Sequence, residues 1–185
     1  MPNGTLIYAS RYGSTQEYAR QIAGALGFSI VRAQEVGSEH FQGRSESKPV
    51  ILGSPIYGSS VLPEMVDLLE RRASDLVKRI VGAFVVCGDY LWIQKAGEGG
   101  SHNLEKLTSL LPEKPAALAV FGGRLMMDEL NEEDRIRVLA FYERMGKEPL
   151  GFDRMDLSAV TLFVELIRDQ LPVPSLCCKN TTLSS

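Results

Sequence analysis

The chain has 185 residues, 44% hydrophobic and 23% charged, ordinary for a globular protein and enough to bury the core of one α/β domain. A net charge of −3 gives no basic footprint for nucleic acid, and no run of lysine and arginine marks an anionic membrane surface. No apolar run has the length of a transmembrane segment and the first residues lack a secretory pattern, so the expected setting is cytoplasmic.

The first apolar run, Thr5–Ser10, reads as a strand, and a helix is predicted over Thr15–Leu26. Between them stand Ser10, Arg11, Tyr12, Gly13, Ser14 and Thr15. Three hydroxyls, a glycine and the unpaired first-turn amides converge where the helix dipole is positive, which holds a phosphate without spending lysines on it. Neither the glycine–lysine nucleotide loop nor the dinucleotide fingerprint follows a strand, which argues against ATP, GTP and dinucleotides. One terminal phosphate monoester suits the loop. An N-cap with nothing bound suits it equally.

Further strand-length runs follow at Phe28–Ala33, Val50–Gly53, Val81–Cys87 and Ala117–Gly122. They are unbroken rather than alternating, the mark of parallel strands covered on both faces. A helix predicted over Pro63–Lys78 starts on a proline, whose missing N–H costs nothing there, and carries the stripe Met65, Val66, Leu68, Leu69 and Leu76. Another is predicted over Asn103–Leu111. The fold class is therefore α/β, a three-layer doubly wound parallel sheet of five strands in the order 2-1-3-4-5. Its ligands bind beyond the C-terminal strand ends, where the order reverses.

Gly123–Asp153 reads as an insert after the fifth strand, with a helix capped by Asn131, acids Glu132, Glu133 and Asp134 in its first turn, and a stop at Gly146. A last helix is predicted over Met155–Leu171, and one domain spans 1–171. From Pro172 the pattern weakens into a tail expected to be mobile. Of three cysteines, Cys87 ends a strand and reads as a small buried hydrophobe, while Cys177 and Cys178 sit in the tail. With no paired C-x-x-C, and with His40 and His102 far apart, no metal site is expected.

In the order 2-1-3-4-5 the ends of the first, third and fourth strands are neighbours on one rim. After the third come Ser54, Pro55, Ile56, Tyr57, Gly58, Ser59 and Ser60; after the fourth come Cys87, Gly88, Asp89, Tyr90, Leu91 and Trp92. Two aromatics facing one another across a gap make a slot for a flat ring, each offset stack adding about 0.5–1.5 kcal/mol beyond area burial. Tyr57 and Trp92 fit that description, and also that of loop residues packed on the core. Asp89 reads as a ligand contact or as the cap of the next turn.

These three loops resemble the flavodoxin family. Its phosphate motif, a hydroxyl residue followed by threonine or tyrosine, glycine and threonine and then an acid, is matched from Ser10 to Glu17. Its second loop is matched from Gly53 to Gly58, and its third from Cys87 to Trp92. The resemblance covers about residues 4–122 and resumes at the last helix. It implies one non-covalent FMN, with Ser10, Gly13, Ser14 and Thr15 on the phosphate and Arg11 and Tyr12 adding amides. Tyr57 and Trp92 would flank the ring, the second loop from Ser54 through Pro55 and Ile56 would border it, the Gly88–Asp89 backbone would meet its pyrimidine edge, and Cys87 and Tyr90 of the same loop would also lie at the cofactor. Gly58 would carry the mechanism: reduction turns a ring acceptor into a donor, and a glycine lets the neighbouring peptide turn over to offer its carbonyl.

Electron-carrying flavodoxins crowd acids around the ring, and this chain departs from that. Ser59 and Ser60 stand where acids are common, Arg11 and Lys95 lie near the ring, and the net charge is small. Nearby negative charge disfavours a reduced anion, so a less extreme low potential is expected. The layout of the insert resembles the quinone-linked dehydrogenases of the flavodoxin fold, the menaquinone-dependent protoporphyrinogen dehydrogenase among them; Arg124, Leu125, Met126 and Met127 read as a substrate surface or as packing. Carrier and enzyme both stay open, with redox partner proteins or a small-molecule substrate as partners, and so do a cofactor-free interaction module and a homodimer. No dinucleotide fingerprint supports direct use of NAD(P)H.

Overall fold

In chain order the apolar runs become β1 (Thr5–Tyr8), β2 (Ser29–Arg32), β3 (Val50–Tyr57), β5 (Ile80–Cys87) and β6 (Ala117–Gly122). All five pair in parallel in the order β2-β1-β3-β5-β6, which is 2-1-3-4-5 counting these strands alone. A two-residue strand, β4 (Ser60–Val61), folds back antiparallel on β3. The computed structural model describes residues 2–41, 48–88 and 99–171. Asp89, Tyr90, Leu91, Trp92 and Lys95, and the tail with Cys177 and Cys178, lie outside the described residues.

Alternation along each strand explains why the runs are unbroken. Leu6, Ile51, Phe84 and Val86 face one layer, where they pack on Tyr18, Ala19 and Ile22 of α1 (Ser14–Leu26) and on Phe163 and Ile167 near the chain's end. Ile7, Leu52, Ala83 and Val85 face the other, against Met65, Leu68 and Leu76 of α2 (Pro63–Leu76) and Leu107 of α3 (Gly99–Thr108). Every second residue thus serves one of two cores, so neither face tolerates a polar register. Burying one such Leu or Phe is worth about 1.5–3 kcal/mol, and both faces of the sheet are covered in this way.

Several boundaries differ from the sequence reading. β3 does not stop at Gly53 but continues through Ser54, Pro55, Ile56 and Tyr57, because β5 pairs along it as far as Pro55 and β4 pairs with Ile56 and Tyr57. The segment read as a loop is therefore held as strand. β1 ends at Tyr8 rather than Ser10, α2 at Leu76 rather than Lys78, and α3 begins before Asn103. The last helix, α5 (Val160–Gln170), starts later than Met155: Asp156 caps a separate 3-10 turn at Leu157–Ala159 by accepting the Ser158 amide.

The 123–153 segment begins and ends side by side. β7 (Arg124–Leu125) pairs antiparallel with β8 (Phe152–Asp153), and between them runs α4 (Glu132–Arg144). Asn131 caps α4 as its sequence suggests, its side chain accepting the Asp134 amide at 2.8 Å. Among the described residues no helix is long and apolar enough to cross a membrane.

Candidate functional site

A cleft of about 220 Å³ opens at the C-terminal ends of β1, β3 and β5, at the point where the strand order reverses. Its floor is the loop after β1. Gly13 stands just before α1 at φ +91°, a left-handed conformation in which glycine carries no Cβ penalty. The Gly13 amide donates to Ser10 Oγ at 3.2 Å, which curls the loop. The first amide bonded within the helix is that of Glu17, to the Gly13 carbonyl, so the amides of Ser14, Thr15 and Gln16 precede the ladder. Thr15 is only 1% exposed, and its Oγ1 is buried with no hydrogen-bond partner. A buried hydroxyl left unpaired costs about 1–3 kcal/mol, so Thr15 Oγ1 at this helix N-terminus is open to a polar partner.

The second wall is the end of β3. Pro55, Ile56, Tyr57 and Gly58 line the cleft. Ser54 does not: it is fully buried, donates to the Pro55 carbonyl and accepts the Leu62 amide, so its hydroxyl holds the β3–β4 turn. Tyr57 and Ser60 are paired across a two-residue loop, Gly58 at φ +51° and Ser59 at φ +69°. Positive φ at both central positions is the type I′ hairpin turn, easy for Gly58 and strained for Ser59. The Tyr57 ring lies 6.0 Å from that of Tyr12 at 35°, with the Arg11 guanidinium 5.6 Å above it. Its hydroxyl has no hydrogen-bond partner, and burial, followed by the charge of Asp134, pushes the phenol well above its ordinary pKa.

The third wall is Cys87 and Gly88, whose neighbours Asp89, Tyr90 and Trp92 lie outside the described residues. Arg154 donates to the Gly88 carbonyl and stacks over Phe152 at 4.5 Å. A Cβ on Gly88 would sit 2.6 Å from the Phe152 ring, so the insert packs directly on this backbone. The Asn103 amide reaches Cys87 Sγ at 3.6 Å, in keeping with a buried thiol.

The insert closes the remaining side, with Arg124, Leu125, Met126, Glu129, Leu130, Val138 and Phe152 lining the cleft. Arg124 fastens it twice, its amide donating to Ser14 Oγ at 3.3 Å and its guanidinium meeting Glu17 at 2.7 Å. Asp134, an exposed first-turn acid by its sequence, is 0% exposed; it meets Arg11 Nε at 2.6 Å and accepts the Tyr12 hydroxyl at 2.5 Å. The side chains of Arg11 and Tyr12 therefore reach the insert. Arg11 brings little uncompensated positive charge to the cleft, which weakens the electrostatic argument its sequence position suggested.

Sequence reasoning missed Asp134, Leu130, Val138 and Phe152 as parts of this site. The helix spacing of Asp134, Val138 and Tyr142 was the available signal, since in α4 Asp134 is buried and Val138 and Tyr142 are partly buried on one stripe.

Residues 5–149 match the Flavodoxin domain family. The chain belongs to that family. A solved short-chain flavodoxin associated with a non-canonical PDU bacterial microcompartment has this fold, at a TM-score of 0.53 and 13% identity over 92% of this chain and 99% of that one. The flavodoxin-domain chain also aligns with the rubredoxin oxygen:oxidoreductase of the anaerobe Desulfovibrio gigas (TM-score 0.47, 19% identity, 93% of this chain) and spans 38% of that protein's length. A WrbA-like flavodoxin from Agrobacterium tumefaciens aligns at a TM-score of 0.47 and 13% identity, over 92% of this chain and all of that one. No curated protein sequence matches the chain.

Proposed function

We propose that the cleft binds FMN non-covalently and that the protein carries electrons between redox partners through it. The observation that carries this reading is the unpartnered Thr15 hydroxyl, buried beside free first-turn amides at the end of β1. A phosphate monoester there receives hydrogen bonds from Thr15, from Ser14 and Ser10, and from the amides of α1, with the helix dipole adding attraction. Gly13 lets the loop approach an anion with no side chain in the way; a Cβ there would meet nothing within 4 Å.

The isoalloxazine would lie along Tyr57, with Ile56 and Gly58 at its border and the Cys87–Gly88 backbone at its edge. In this reading Trp92 would be the second flank and the Gly88–Asp89 backbone would meet the pyrimidine edge. FMN, when bound, supplies one- and two-electron transfer; the protein supplies orientation and electrostatics. The Gly58–Ser59 peptide is poised to turn over. Doing so converts type I′ to type II′ and returns Ser59 to negative φ, so this chain's own strain favours the turned form.

A second reading has a specific observation behind it. The insert adds Leu125, Met126, Leu130, Val138 and Phe152 to the cleft as an apolar wall. An FMN-dependent oxidoreductase acting on a flat apolar substrate, of the quinone or porphyrinogen type, uses such a wall. Anaerobic dithionite titration of the purified protein tests the cofactor reading: flavin absorption that bleaches on reduction is expected, and a colourless protein that takes up no added FMN contradicts it. Rapid reoxidation by a soluble quinone with no partner protein decides for the enzyme.

A further inference from the structure

The phosphate-type loop and the insert helix are joined by a side-chain contact between residues 122 positions apart. A helix whose N-cap is Asn131 has Asp134 at its third position, from which an acid commonly reaches back to the N-cap amide. Here the Tyr12 hydroxyl stands between them, donating to Asp134 Oδ2 at 2.5 Å and accepting the Asn131 amide at 3.3 Å. Arg11 neutralises the same carboxylate oxygen from the other side. The capping box of α4 is thus completed by a residue of the β1–α1 loop.

The rest of α4 has little else to hold it. Only Asp134 is buried and Val138 and Tyr142 partly so, while Ile136 and Phe141 are 60% and 48% exposed. Most helical stability in proteins comes from packing, so a helix this exposed depends heavily on its cap.

We propose that Asp134 and Tyr12 form a latch that makes the insert helix part of the loop, so that a phosphate monoester ordering residues 10–15 also orders α4 and closes the cleft. Asp134 is a positioning residue in this scheme. It touches no ligand, but it fixes Tyr12 and Arg11 against Tyr57 and so leaves one face of that ring covered. The coupling to ligand rests on the FMN reading, whereas the latch itself does not.

Hydrogen exchange followed by mass spectrometry on the full chain tests both parts. Without added ligand, Tyr12→Phe keeps the ring and removes the link, and peptides covering 131–144 are expected to exchange about tenfold faster, the scale of one hydrogen bond to a charged group. Peptides of α5 should not change. Asp134→Asn retains an acceptor for Tyr12 and should restore most of the protection that Asp134→Leu loses. FMN is expected to slow exchange across 131–144 in the native chain, and Tyr12→Phe to cancel that slowing when compared at FMN concentrations that saturate each protein by flavin quenching. Unchanged insert exchange in Tyr12→Phe overturns the latch, and FMN that binds without slowing the insert overturns the coupling. If FMN fails to bind at all, the cofactor reading falls and takes the coupling with it, while faster exchange in ligand-free Tyr12→Phe still upholds the latch.

Discussion

The Tyr12 phenol donates a 2.5 Å hydrogen bond to the Asp134 carboxylate, 122 positions further along the chain. Around it Arg11, Tyr57 and Asn131 assemble into one polar cluster at the mouth of the cleft. Asp134→Ala strips that cluster of its only acid and leaves Arg11 without its partner. Because the Arg11 side chain is 34% exposed and can turn to water, the expected loss is about 1–3 kcal/mol rather than that of a fully buried pair. Thermal denaturation of the ligand-free protein measures it, and a melting temperature equal to that of the native chain contradicts the role given to the cluster.

Thr15→Val replaces an unsatisfied buried hydroxyl with a methyl of nearly the same shape. The ligand-free variant is expected to be as stable as the native protein or up to about 1 kcal/mol more so, while FMN binding weakens roughly tenfold or more. Stability and affinity thus move in opposite directions. A variant that melts earlier would mean the hydroxyl has a partner within the protein.

Ser59→Gly tests the turn. A proline at Gly58 would destroy it outright, since φ +51° is closed to proline, whereas glycine at Ser59 removes only the cost of φ +69°. The ligand-free protein is expected to gain about 1 kcal/mol. With FMN bound, the turned peptide no longer relieves Ser59, so the first one-electron midpoint potential should fall by about 40 mV, at 59 mV per tenfold. A potential that stays put or rises argues against peptide reversal at this site.

Tyr57 gives a pH dependence with a definite sign. Its pKa in the folded protein is raised by burial, so the folded state keeps the proton that the unfolded chain releases near pH 10. Stability from this group is complete below about pH 10 and is lost as pH rises beyond it. Melting curves from pH 8.5 to 11 should therefore fall less steeply for Tyr57→Phe than for the native chain; parallel curves would mean that Tyr57 titrates as in water.

The parallel sheet was legible because each strand's residues must satisfy two cores at once, a demand that Leu6 through Ala9 and Ala83 through Val86 display without help from the rest of the chain. The rim loops were legible for a related reason: a strand that runs into a glycine and a hydroxyl cluster announces a turn. Where the sequence reading fell short, a distant partner decided the outcome. Ser54 to Tyr57 look like a loop until β4 and β5 pair with them. Asp134 looks like a surface acid favouring its helix dipole, and only the arrival of Arg11 and Tyr12 from the other end of the fold buries it. Local pattern carries no record of such contacts. The Asp134, Val138, Tyr142 spacing was the one trace, and it marks a packed stripe without saying what it packs on.

Recognition of a phosphate monoester on a flavin by the β1–α1 loop is read out by titrating the ligand-free protein with FMN and with riboflavin, which differ only in that phosphate, and following fluorescence quenching. Two or more charge-assisted hydrogen bonds predict that FMN binds at least about 100-fold more tightly, with Thr15→Val narrowing the gap. Equal affinity for the two flavins, or no quenching of either, would contradict it.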